Sequence, residues 1–183
     1  MQDKIEKITK IVKDELYRSN SQKYHHSLRM AEIALDIAKN ENFNNLDLVT
    51  ITSLLHDISP NVNSRTENAA ESAIKAKKIL EEFLDKNEIE QVYETILATE
   101  KKEISDTDLL GKILHDANII DLLGMTGILR VAYNMGKEND SDSVAELPNW
   151  FESYSMKNLS FLELDYSKKL AERKMSEIKK SGN

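Results

Sequence analysis

Apolar residues recur at spacings of three and four along almost the whole chain, and that periodicity leaves little room for any architecture except helices packed on helices. Ile5, Ile8, Val12 and Leu16 open the pattern. Five Gly and two Pro in 183 residues supply few turns, which also disfavours a sheet protein. The expectation is an all-α, single-domain helical bundle over residues 1–183, long enough to bury its core without staples. The spacing predicts helices over about 3–18, 24–39, 46–57, 67–84, 88–98 and 106–135, then a helix or helix pair over about 149–179. Gly124 and Gly127 mark a kink or a close crossing in the sixth of these.

Composition removes several function classes. With no Cys there is neither a disulfide framework nor a thiolate metal site, which fits a reducing compartment. The first residues, Met1 to Lys7, are charged from the start and lack the apolar segment of a signal peptide, so a cytoplasmic location is expected. The most apolar run, Ile119 to Met135, contains Asp121 and Arg130 and falls short of the roughly 20 apolar residues that a membrane span needs. Net charge is −7 with both signs interspersed, which argues against a nucleic-acid polymer as partner. A small anionic substrate held by a metal and a few local cations stays compatible. Oligomeric state leaves no mark in the sequence.

Within this helical pattern a few polar residues fall where apolar ones belong. His56 and Asp57 come directly after the apolar run Leu54-Leu55 and precede Ser59-Pro60, so they sit on the last turn of a helix, where neighbouring side chains about 100° apart can still serve one cleft. Helix phase separates two adjacent histidines upstream. His26 shares a stripe with Met30, Ile33 and Ile37 and faces the core side, whereas His25 aligns with Arg29, Glu32 and Asp36 and faces water. Asp116 falls inside the aliphatic stripe Leu109, Ile113, Ile120 and Leu123. A buried carboxylate needs a cation, a donor or a proton, and a buried Arg such as Arg29 or Arg130 would serve as well as a metal. Taken singly, His26 is a hydrogen-bonded core histidine and His56 a helix-end histidine stabilised by the dipole. Taken together, His26, His56, Asp57 and Asp116 form a mixed nitrogen and oxygen set suited to Mn²⁺, Fe²⁺, Co²⁺, Mg²⁺ or Zn²⁺.

The order of these residues resembles the HD-domain metal-dependent phosphohydrolases, whose pattern is a His, a His-Asp pair and a distant Asp in a helical bundle. His26-Ser27-Leu28-Arg29-Met30-Ala31-Glu32 is similar to the first-ligand helix and Leu54-Leu55-His56-Asp57-Ile58 to the central motif. Asp116 to Gly124 resembles the Asp-Ala-Asp-x-x-Asp-x-x-Gly segment of a bacterial subgroup, and Gly127-Ile128-Leu129-Arg130 resembles the residues just after that segment. Lys157-Asn158-Leu159 and Leu170-Ala171-Glu172-Arg173 are similar to that subgroup's closing helices. The resemblance implies an HD-type bundle with His26, His56, Asp57 and Asp116 as metal ligands. Relatives with two or more metals carry extra histidines where this chain has Asn68 and Thr99, so one divalent metal ion is expected here. Asn118 replaces the second acid of the Asp-Ala-Asp segment.

For activity, the resemblance implies hydrolysis of a phosphate ester or anhydride in a small molecule, a nucleotide above all. Asp57 would bind metal and orient water, and Arg29, Arg65 and Lys102 (with Lys101 beside it) are the candidate phosphate cations. Glu67 or Glu71 is placed for general acid or base work, and Tyr24, Tyr133, Trp150 and Tyr154 are candidate stacking partners for a base. For each of these the ordinary alternative is surface charge or core packing. The competing function is a degenerate HD domain that binds metal and nucleotide as a sensor without turnover.

Overall fold

The third helix, buried on nearly every side, organises the helices around it. In the computed structural model, which describes residues 2–17, 21–59, 65–99, 108–137 and 147–181, the described residues form helices and no strand. The all-α expectation holds. The chain divides into two compact units, Met1–His115 and Asp116–Asn183, with the division falling inside one helix.

The first unit contains α1 (Gln2–Leu16), α2 (Ser21–Asn40), α3 (Leu46–Leu55), α4 (Arg65–Leu80), α5 (Lys86–Ala98) and the start of α6 (Leu109–Ile120). Seven of the ten residues of α3 are buried, from Leu48 to Leu55 with only Thr50 left out, so this helix meets neighbours on nearly every side. Those neighbours are α1, α2, α4 and α5. Helix α1 contributes Ile8, Val12 and Leu16, and α2 contributes Met30, Ala34, Ile37 and Ala38, all fully buried. Helix α4 packs against α5 and buries the small residues Ala69, Ser72, Ala73 and Ala76. Ala70, by contrast, is half-buried.

Local chemistry sets the helix ends. Asn42, at φ 56, adopts the left-handed region that Asn tolerates, and Phe43 N closes α2 by donating to Ala38 O at 2.8 Å. Asn45 caps α3, its side-chain oxygen accepting from Leu48 N at 3.1 Å. Asp85 caps α5 through Asn87 N and Glu88 N. Asp108 Oδ1 accepts from Gly111 N at 2.9 Å at the start of α6.

The second unit contains the end of α6, then α7 (Gly124–Lys137), α8 (Leu147–Leu159) and α9 (Asp165–Ser181), with α7 packed against both α8 and α9. The single long helix expected over about 106–135 is therefore two. Gly124, at φ +68, takes a conformation that other residues rarely adopt, and the helix breaks there rather than bending. Gly127 answers to the other expectation, a close approach: a Cβ on it would collide with the Leu122 carbonyl and touch the Phe151 ring at 3.0 Å. Since backbone forms the obstacle, Gly127→Ala is expected to lower stability by about 2 kcal/mol in urea denaturation. Met125→Ala, at a residue 52 % exposed, is expected to cost less than about 0.5 kcal/mol.

Candidate active site around His26 and His56

The end of α3 carries the His-Asp pair, and its burial follows from the helix before it. Leu54 and Leu55 are in the core, Ile58 is fully buried, and between them His56 is only 7 % exposed. Its backbone stays helical at φ −58, ψ −27, and Ile58 N closes the turn onto Leu55 O at 3.2 Å. His56 Nδ1 lies 2.8 Å from Ser53 O. A carbonyl can only accept, so Nδ1 carries the hydrogen and Nε2 keeps its lone pair. That arrangement fixes the tautomer and ring direction that a metal-binding histidine needs.

His26 arrives from α2, on the stripe that phase assigned to the core, and is 6 % exposed. Its ring meets that of His56 edge to face, with centroids 5.1 Å apart and planes at 72°. His25 is exposed, and its ring meets Tyr17 edge-on and Tyr24 at a tilt instead. Burial, and then the charge His26 would carry, lower the His56 pKa to about 4, so the ring is neutral at physiological pH.

Asp57 makes polar contacts of a different kind. Its Oδ1 receives Lys23 Nζ at 2.8 Å and Asn68 Nδ2 in a short contact. Lys23 Nζ also donates to Ser59 O at 2.7 Å and to Asn68 Oδ1 at 3.1 Å. Ser59 is bound further by Ser72 Oγ, which accepts from its N–H, and by Glu71 Oε2, which accepts from its hydroxyl. The backbone after the His-Asp pair is thus tied to α2 and α4. Lys23 is the residue the periodicity did not single out, although it lies three before His26 on the same stripe and phase alone places it there.

Of the other candidates, Arg29 is half-buried on α2 and Glu67 is exposed in the first turn of α4. Glu71 is engaged by Ser59, and Thr99 Oγ1 donates to Ile96 O at the end of α5. Asn68 stands against Asp57. Tyr24 is buried, whereas Tyr133 is 47 % exposed. The Arg65, Trp150 and Tyr154 side chains, and Lys101 and Lys102 altogether, lie outside the described residues.

Asp116 belongs to the second unit and is fully buried there, as its stripe required. Its oxygens accept from two backbone amides just before α9, Glu163 N at 3.0 Å and Leu164 N at 2.9 Å. Arg130 instead pairs with the other buried carboxylate of this region, Asp121, at 2.5 Å. The fit to a metal is therefore partial. Two imidazoles are together and one has its Nε2 lone pair available, but among the described residues no three His, Asp or Glu side chains are gathered closely enough to hold an ion.

The family model for the HD domain matches residues 24–123, a segment that includes both histidines, Asp57 and Asp116. The chain belongs to the HD domain family. Its fold is similar to that of an HD-superfamily hydrolase from Bacillus thuringiensis, at 23 % identity and TM-score 0.75, covering 98 % of this chain and 95 % of that one. Bacillus subtilis YpgQ, whose structure was solved in complex with ADP, matches at 20 % identity and TM-score 0.74, over 98 % of this chain and 92 % of YpgQ. A predicted HD superfamily hydrolase from an uncultured Thermotogales bacterium matches at 23 % identity and TM-score 0.69, over 96 % and 87 % of the two chains. No curated protein matches. Among the described residues no helix is long and apolar enough to cross a membrane.

The lowered His56 pKa gives this HD domain a pH dependence of definite sign. Between the unfolded value of 6.5 and about 4, the unfolded chain binds the proton that the folded chain refuses, so stability falls as pH falls through that window. The loss approaches about 3 kcal/mol at the acid end. Urea denaturation at pH 7 and pH 4.5 is expected to show it, with a smaller difference in His56→Gln.

Proposed function

We propose that this HD domain, residues 1–183 acting as one functional unit, is a metal-dependent phosphohydrolase acting on a phosphate ester or anhydride of a small molecule, with a nucleotide as the substrate class. The observation that carries the reading is the buried pair of His26 and His56, packed edge to face, with the His56 ring tied by Nδ1 so that Nε2 remains for a ligand. Two buried imidazoles do little for packing that aliphatic side chains would not do better. The nucleotide assignment draws support from YpgQ, whose structure holds ADP.

One divalent ion, drawn from Mn²⁺, Fe²⁺, Co²⁺, Mg²⁺ and Zn²⁺, would polarise a phosphoryl oxygen and lower the pKa of a bound water. The family pattern assigns His26, His56, Asp57 and Asp116 to that ion. Asp57 would also orient the attacking water. Arg29, Arg65 and Lys102 are the cations assigned to the phosphate charge, and Glu67 the acid or base that moves a proton. A second reading, a nucleotide-sensing domain without turnover, is favoured by the carboxylates: Asp57 is held by Lys23 and Asn68, and both Asp116 oxygens accept backbone amides.

Metal analysis of the purified chain and a product assay over nucleotides and simple phosphomonoesters test the proposal. The expected result is a retained divalent metal and release of phosphate or pyrophosphate. His56→Ala is expected to lose the metal and to lower turnover by more than about a hundredfold, since even the hydrogen-bond partners of ligands cost up to that. Its circular dichroism should stay helical. Undiminished turnover by metal-free His56→Ala protein rejects the proposal, and tight nucleotide binding without turnover selects the sensor.

A further inference from the structure

Beside the two histidines lies a cation that the chain itself supplies. Lys23 Nζ is surrounded by three oxygens of different origin, Asp57 Oδ1 at 2.8 Å, Ser59 O at 2.7 Å and Asn68 Oδ1 at 3.1 Å. A carboxylate, a backbone carbonyl and an amide oxygen converging on one point are the donor types that hard cations take in proteins. Asn68 closes the arrangement by donating its Nδ2 to the same Asp57 oxygen, so its amide is oriented at both ends. The Lys23 and Asp57 side chains are 20 % and 15 % exposed, and the pair is therefore shielded from the water that makes most surface ion pairs worth little. A lysine serving only as a surface charge would not need three acceptors from two other segments of the chain.

We infer that Lys23 is a built-in cation of this centre, a positioning residue whose ammonium holds Asp57 by the oxygen that a divalent ion would otherwise take and so weakens the binding of that ion at the His-Asp pair. The inference rests on the proposed metal-binding role of His26 and His56. It accounts for why two imidazoles stand together while the adjacent carboxylate is already engaged, and it gives Asn68 a function in place of ligation. The ammonium leaves Asp57 when an ion binds, or else the ion binds without Asp57; in either case its charge opposes the ion.

The experiment is a Mn²⁺ titration of the full chain, with free Mn²⁺ read by electron paramagnetic resonance, for the wild type, Lys23→Met and Lys23→Arg. Lys23→Gln serves as the neutral variant if the Met side chain prevents folding. Removing the charge is expected to tighten Mn²⁺ binding by about tenfold or more, because a fixed unit charge a few ångströms from a divalent ion is only partly screened. Lys23→Arg, which keeps the charge, should bind as the wild type does, and the extra affinity should vanish when His56→Ala is added. A residue that only pins α2 to the turn after α3 would lower stability in the neutral variant and leave affinity equal or weaker. Equal or weaker binding by that variant overturns the inference and leaves the metal reading standing. Binding by neither wild type nor neutral variant rejects the metal reading and the inference with it, whereas binding by the neutral variant alone supports both.

Discussion

A polar side chain taken out of water must be given a partner, and in the first unit that requirement is concentrated at the end of α3. The helix is buried on nearly all sides, so the chain leaving its C-terminus starts from inside the protein. His56 is satisfied within its own turn by Ser53 O, and Asp57 by side chains from α2 and α4. Ser59 then engages α4 through both its amide and its hydroxyl, and Lys23 through its carbonyl. Hydrogen bonding thus ties the residues just after His56 to α2 and α4, and the two imidazoles are held where that stretch begins.

The second unit resolves the same problem twice, with different chemistry. Asp116 and Asp121 both lie buried near the end of α6. Asp116 takes backbone amides that precede α9, where a negative charge also meets the favourable end of the helix dipole. Asp121 takes the guanidinium of Arg130 from α7, a charge-assisted bond across the break at Gly124. One carboxylate organises backbone and the other joins two helices. Both depend on neighbours far along the sequence or beyond a turn.

That distance explains which features are legible in the sequence. Phase alone distinguishes buried His26 from exposed His25, because the choice depends only on residues within two turns of the same helix. The cap at Asn45 and the end of α3 are local for the same reason. Burial of Asp116 is legible from its aliphatic stripe, but its partners are not, since backbone amides carry no signature in a side-chain pattern and lie 47 and 48 residues away. Lys23 is on the legible stripe and passes for an ordinary polar helix end, because its meaning depends on Asp57, 34 residues later. The break between α6 and α7 is visible as a pair of glycines; which one breaks the helix and which one admits a neighbour depends on φ at one and on the Leu122 carbonyl at the other.

The burial of α3 has one more consequence. Because this helix has almost no face turned to solvent, His56 inherits its place from the packing of four surrounding helices, while the bond to Ser53 O sets only the direction of its ring. A change of side-chain volume in α1 or α5 therefore reaches the imidazole through α3. Sequence drift in such a domain is filtered through ring placement, so its core should tolerate less volume change than the core of a helical bundle with no chemistry to align.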